Sequence, residues 1–182
     1  PTCLRCQAVL PVAAAQSQVV VSGGAPTDLA AGTVLGGTYE IVRAIGAGGM
    51  GAVYLARDRS LGRSVAVKVM PRALMDDPEL VERFRREARS AATLDHPNII
   101  PVHVVGDHNG RPYFVMKYVE GESLAQFLAR IGVVPLERAC RIIEGVLDGL
   151  HVIHEAGFVH RDIKLANIML DRRGEPIILD FG

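Results

Sequence analysis

Six residues, Gly46-Ala47-Gly48-Gly49-Met50-Gly51, constrain this chain more than any other stretch. They match G-x-G-x-x-G, a spacing that lets backbone N–H groups approach phosphates because no Cβ intervenes. In a dinucleotide-binding unit such a loop opens a helix, whose N-terminus receives the pyrophosphate. Here Tyr39-Glu40-Ile41-Val42-Arg43-Ala44-Ile45 precedes the loop and Ala52-Val53-Tyr54-Leu55-Ala56 follows it, both with bulky residues in alternation. A period of two on each side predicts two antiparallel strands joined by the glycines, a flap that could lie over a nucleotide. A Walker A loop is excluded, since no Lys-Ser/Thr follows Gly51. A glycine-rich surface hairpin without a ligand shares this local pattern, so the rest of the chain must separate the two.

The chain order after the flap predicts an α+β fold. Ser64–Met70 reads as a third strand behind a turn over Asp58–Arg63. Asp77 followed by Pro78 starts a helix, with Asp as cap and Pro at the first helical position, and Leu80, Phe84, Ala88 and Ala91 recur at helical spacing. Ile99–Val105 and Tyr113–Tyr118 read as two more strands around a turn over Asp107–Pro112, with Gly121 as a hinge. Then the period changes. Ser123-Leu124-Ala125-Gln126 fits a capping box, with Leu124, Phe127 and Leu128 as the apolar face. A long apolar helix over Pro135–Ala156 carries Ile142, Ile143, Val146, Leu147, Leu150 and Ile153, with Gly157 as its C-terminal cap. Ile168-Met169-Leu170 and Ile177-Ile178-Leu179 are short strands about a turn over Arg172–Pro176. A sheet with one helix, then helices, predicts two lobes. The expected divisions are 1–37, a cysteine knuckle remnant and flexible linker; 38–120, the sheet lobe; and 121–182, the helical lobe.

Composition narrows the function classes. Lys+Arg and Asp+Glu both number 20, so the formal net charge is zero, against the basic excess of a general nucleic-acid binder. No apolar run reaches membrane-span length, and no signal peptide is visible. Three cysteines (Cys3, Cys6, Cys140) make no disulfide framework, which favours a reducing, cytoplasmic setting. Cys3 and Cys6 have knuckle spacing, yet zinc wants four ligands, so half a zinc ribbon and two idle thiols both remain open. His151 and His154 read as helix-packing or surface residues.

Chemistry concentrates in five positions. Lys68 sits on the otherwise apolar strand Val65-Ala66-Val67-Lys68-Val69-Met70. A buried ammonium needs a partner, although alternation alone could turn it to solvent. Glu87 lies three residues after Phe84 and four before Ala91, on the inward helix face, where a carboxylate is costly unless paired. The two suggest an ion pair that orients the amine towards phosphates. Asp162 and Asn167 share a loop after the long helix, and Asp180 follows a strand end. Carboxylate and amide oxygens so placed suit Mg²⁺, which takes oxygen ligands and keeps waters and phosphates.

Together these residues resemble the protein kinase superfamily, from about Tyr39 to the end of the chain. Gly46 to Val53 matches the glycine loop, Ala66 to Lys68 the strand lysine, Glu87 the helix glutamate, His160-Arg161-Asp162-Ile163-Lys164-Leu165-Ala166-Asn167 the catalytic loop, and Asp180-Phe181-Gly182 the DFG triplet. Lys164, two positions after Asp162, is similar to the serine/threonine class, and His96-Pro97-Asn98-Ile99 to bacterial eukaryotic-like members. The resemblance implies a protein kinase-like two-lobe fold: an N-lobe antiparallel sheet plus one helix, and a truncated helical C-lobe.

It also implies a serine/threonine protein kinase that moves the γ-phosphoryl group of Mg-ATP to protein Ser or Thr hydroxyls. On this reading Lys68, paired with Glu87, contacts the α- and β-phosphates; Asp162 takes or orients the hydroxyl proton; Lys164 neutralises the transferring group; Asn167 and Asp180 hold Mg²⁺. The nucleotide would meet Ile45, Gly46, Ala47, Gly48, Gly49, Met50, Gly51, Val53, Ala66, Lys68, Met116, Lys117, Val119 and Met169. Met116 is the gatekeeper, the backbone of Lys117 to Val119 the adenine hinge, and Val53, Ala66 and Met169 sandwich the ring. His160 and Phe181 would stack as supports, and Arg161 would meet an activation-loop phosphate. Lys117 stands where relatives often carry Glu, and Leu165 where Pro is common. The expected partners are ATP, protein substrates and a second copy for autophosphorylation. No activation segment or Ala-Pro-Glu anchor follows Gly182, so exposed apolar surface on the long helix is expected. The alternative is a catalytically silent nucleotide-binding or regulatory module; a small-molecule kinase is disfavoured by Lys164 and the DFG triplet.

Overall fold

The computed structural model describes residues 28–48 and 51–180. The knuckle and most of the linker, together with Gly49, Met50, Phe181 and Gly182, lie outside the described residues. Two sheets and three α-helices form the described part. The first sheet holds β1 (Val34–Leu35), β2 (Tyr39–Gly48), β3 (Gly51–Asp58), β4 (Arg63–Val69), β5 (Val102–His108) and β6 (Arg111–Lys117), in the order β1-β2-β3-β4-β6-β5. All neighbours are antiparallel. The second sheet is β7 (Gly121–Ser123), β8 (Ile168–Asp171) and β9 (Pro176–Ile178). Helices α1 (Pro78–Ala92), α2 (Leu124–Ile131) and α3 (Leu136–Glu155) complete it.

Alternation along β4 and β6 divides the core. Val65, Val67 and Val69 face one way and join Leu35, Ile41, Tyr54, Tyr113 and Val115. Ala66 and Met70 face the other way and join Phe84, Ala88 and Ala91 of α1, with Phe114 and Met116. Successive strand residues point to opposite faces, so Lys68 falls with Ala66, on the α1 side. Phe84 and Phe114 meet at 5.3 Å between ring centroids; burying one such ring stabilises by roughly 1.5–3 kcal/mol.

The α1 core continues without a break into Ile153 of α3 and Ile177 and Ile178 of β9. The backbone supports the continuity: Ile178 N–H donates to Asn98 O at 2.8 Å, and Ile100 N–H to Ile178 O at 3.0 Å. Gly145 and Gly149 let α3 approach closely, since a Cβ on Gly145 would stand 2.7 Å from Pro176 Cγ. A third cluster joins Leu124 and Phe127 of α2, Ile142 of α3, and Ile168 and Leu170 of β8.

Helix ends follow the sequence signals. Asp77 Oδ1 accepts from Glu79 N–H at 2.9 Å and Leu80 N–H at 3.3 Å, a cap worth about 1 kcal/mol. Ser123 and Gln126 close the capping box of α2, and Gly157 takes φ +79° just past α3.

Three expectations differ. Asp28–Gly37, read as linker, packs on the sheet: Leu35 is fully buried and pairs with Tyr39. Arg111 holds Asp28 by a two-pronged ion pair, both contacts at 2.8 Å. The strand expected at Ile99–Val105 is displaced to Val102–His108, because Ile99 and Ile100 are drawn into the core beside β9. Its turn narrows to Asn109-Gly110, with φ 54° and 79°, the two-residue hairpin that an Asn-Gly pair favours. Gly121, read as a hinge, is paired with Asp171 in β7. Ile143 and Leu147 stay 57 % and 58 % exposed on α3. His151 and His154 are exposed, as is the Cys140 thiol.

Candidate active site

Strands β2 and β3, which flank the glycine run, pair antiparallel up to Gly48 opposite Gly51. The run therefore joins two strands and opens no helix. The hairpin closes down on Lys68: a Cβ at Gly51 would meet Val69 O at 3.0 Å and Lys68 Cγ at 3.3 Å. Glycine is needed there because the backbone lies against the lysine stem.

Lys68 is buried, and its ammonium donates to two carboxylates, Glu87 Oε1 and Asp180 Oδ1, each at 2.8 Å. Phe114 lies beneath it, 5.6 Å from ring centroid to Nζ. Burial presses the lysine pKa down, yet the charges of Asp180 and Glu87 outweigh it and hold the pKa above the ordinary 10.5. Burial pushes Glu87 up, and the ammonium beside it pulls the other way. The predicted Lys68–Glu87 pair is thus present, and it extends to Asp180.

A second group sits on the loop between α3 and β8. Lys164 Nζ donates to Asp162 Oδ2 at 2.7 Å, and Asn167 Nδ2 donates to the same oxygen and to Asp162 O, each at 2.9 Å. The Lys164 hydrogen bond, helped by Asn167 against slight burial, holds Asp162 below the usual 3.8. The loop is tied to the strand carrying Asp180. Leu179 N–H donates to Asn167 O at 2.8 Å. His160, 1 % exposed, donates from Nε2 to Leu179 O at 2.8 Å, while Nδ1 accepts from Asp162 N–H at 3.3 Å. A carbonyl can only accept, so Nε2 carries a proton. Arg161 and Asp180 adopt φ 63° and 46°, left-handed conformations that such residues hold only when their surroundings impose them.

The donor set suits a hard cation. The Asn167 amide nitrogen is engaged by Asp162, so among the described residues its side-chain oxygen is uncommitted, and Asp180 keeps a second carboxylate oxygen beyond Lys68. Two protein oxygens fit Mg²⁺, which completes its shell with phosphates and waters.

Apolar residues assigned to the base side share one cluster: Ala66, Met116 and Val119 are buried in it, and Ile45, Val53 and Met169 pack against it. Lys117 is exposed, and its N–H is committed to Pro101 O at 3.0 Å. Gly46 and Ala47 lie in β2, before the turn. What sequence reasoning missed is a cavity of about 340 Å³ beside this site, where Arg83 and Arg86 of α1 converge with Arg161 around Glu87 and Ser90. The two α1 arginines, three apart, were the available signal.

The sequence pattern of the protein kinase domain matches residues 39–182. The chain is 47 % identical over 152 residues to a probable serine/threonine-protein kinase of Streptomyces coelicolor, covering 81 % of this chain and 23 % of that protein. It is 42 % identical over 151 residues to serine/threonine-protein kinase PrkC of Bacillus subtilis, with 83 % and 23 % covered. Its length is thus about a quarter of these curated relatives. The crystal structure of the Mycobacterium tuberculosis PknI kinase domain superposes with a TM-score of 0.73 at 35 % identity, over 84 % of this chain and 62 % of that one. With the hairpin, the ion pair and the catalytic-loop geometry in place, the chain belongs to the protein kinase domain family and resembles its bacterial eukaryotic-like serine/threonine members.

Proposed function

We propose that this chain is the nucleotide-binding part of a serine/threonine protein kinase that transfers the γ-phosphoryl group of Mg-ATP to Ser or Thr hydroxyls of proteins. The carrying observation is the single ammonium of Lys68 bonded to both Glu87 and Asp180. Mg-ATP supplies the phosphoryl group and the cation that neutralises it. Lys68, oriented by Glu87, grips the α- and β-phosphates, and the Gly46–Gly51 hairpin covers them. Asn167 and Asp180 offer the cation its oxygens. Asp162 receives the hydroxyl proton as the new O–P bond forms and the bond to the β-phosphate oxygen breaks; Lys164 balances charge on the moving group. Ile45, Val53, Ala66, Met116 and Met169 enclose the base, and the Lys117–Val119 backbone marks its edge. Arg83, Arg86 and Arg161 form the receptor for an activating phosphate. The expected setting is cytoplasmic, with autophosphorylation between two copies; among the described residues no helix is long and apolar enough to cross a membrane.

Titration calorimetry of Mg-ATP into the wild-type protein and Lys68→Met tests the nucleotide reading. A charge-assisted contact is worth about 1.5–3 kcal/mol, so the variant should bind roughly 10- to 100-fold more weakly. Equal affinity for both would remove Lys68 from the site.

A further inference from the structure

We propose a second anion site on this chain, a pocket of arginines at the far end of β8 that docks an acidic stretch of the protein substrate. The cavity, about 310 Å³, lies between α2, the start of α3 and the β8–β9 turn. Four guanidinium groups line it: Arg130, Arg138, Arg172 and Arg173.

Two of the four are already neutralised. Arg130 pairs with Glu122, and Arg172 Nη2 meets Glu120 Oε2 at 2.6 Å. The remaining lining carboxylate, Asp171, turns one oxygen to its own turn: Oδ1 accepts from Arg173 N–H at 2.8 Å and Glu175 N–H at 2.9 Å. Among the described residues Arg138 and Arg173 meet no carboxylate.

Arg138 is also held in place. Its guanidinium stacks over the ring of buried Phe127, 4.5 Å from the centroid, and Nη2 would lie 3.2 Å from a Cβ on Gly174. Gly174 has φ +85°, so the turn needs glycine to keep that contact. Stacking uses the faces of a guanidinium and leaves its in-plane N–H donors for an oxyanion. A carboxylate matches that fork with two parallel hydrogen bonds.

The pocket and the candidate active site share one strand. From Asn167 to Asp171 the chain advances about 13 Å, at ~3.3 Å per residue. An extended peptide therefore needs at least about four residues between its acceptor hydroxyl and its acidic group. Naming the occupant a substrate rests on the kinase reading; the arginine pocket does not.

The test uses the full-length protein, a labelled Ser peptide bearing three Glu residues at least four positions from the Ser, and its Gln counterpart. Anisotropy and steady-state phosphorylation are read for wild type, Arg138→Ala, Arg138→Lys and Arg138→Ala/Arg173→Ala, with circular dichroism confirming the fold. For the Glu peptide, Kd and KM rise about tenfold in the double variant, while kcat and the KM for ATP hold. Arg138→Lys fails to restore affinity, and the Gln peptide ignores all variants. Equal binding of the two peptides, or unchanged Glu-peptide affinity in the double variant, overturns the pocket. Arginine-dependent binding with no phosphorylation of any peptide would uphold the pocket and fell the kinase reading instead.

Discussion

Lys68 and Asp180 meet at 2.8 Å although 112 positions separate them, and Lys68 also holds Glu87 at 2.8 Å. One ammonium thus fastens α1 and the end of the second sheet to β4, the strand against which the β2–β3 hairpin closes. Removing one partner of a buried pair leaves the other charge uncompensated, at about 3–5 kcal/mol. Lys68→Ala should lower stability by that amount in urea denaturation. Lys68→Met combined with Glu87→Gln should recover most of it, and a double variant no better than the single would contradict the pairing argument.

Asp162 titrates below an ordinary carboxylate because Lys164 and Asn167 hydrogen-bond its charged form. A depressed folded pKa contributes stability that is present above the unfolded value and lost as pH falls through the folded one. The loop should therefore stay tied at neutral pH and loosen in acid, below the usual 3.8. Carboxyl NMR titration reads this directly. In Lys164→Met the Asp162 midpoint should move up; an unmoved midpoint would dismiss Lys164 as the cause.

Asp28 and Arg111 form the tie that holds the segment before β1 to the sheet. Arg111 is buried, with Nε donating to Met70 O, and Asp28 is 26 % exposed. Partial exposure weakens the pair relative to a fully buried one. Asp28→Ala should cost about 1–3 kcal/mol, and hydrogen exchange at Leu35 should speed up with it. An unchanged melting temperature would mean the segment adds nothing.

Gly145 on α3 separates helix propensity from packing. Replacing it with Val gains a few tenths of a kcal/mol in propensity. The new Cβ, however, would stand 2.7 Å from the rigid Pro176 ring and 3.0 Å from Asn98 Nδ2. Overpacking of this kind costs about 1–3 kcal/mol, so Gly145→Val should lower the melting temperature. A rise would show that α3 can shift away.

Local signals were legible and distant ones were not. The Asp77 cap, the Ser123–Gln126 box and the period-two strands around Gly46–Gly51 are written in neighbouring residues. Glu87 was readable because helical spacing put a charge among Phe84, Ala88 and Ala91. The displacement of β5 was hidden, since β-branched Ile99 and Ile100 read as strand residues until β9 claims them. Arg111 read as a turn residue because its partner, Asp28, lies 83 positions away. The second bond of Lys68, to Asp180, is likewise a tertiary fact that no window of sequence contains.

Phosphoryl transfer from Mg-ATP to a Ser/Thr protein substrate, measured for the full-length protein and its Asp162→Ala variant, tests the account most directly. The wild type should transfer, and the variant should be slower by about 10²–10⁴-fold, the size of a general-base contribution. Equal rates for the two proteins would contradict the assignment of Asp162 and with it the proposed reaction.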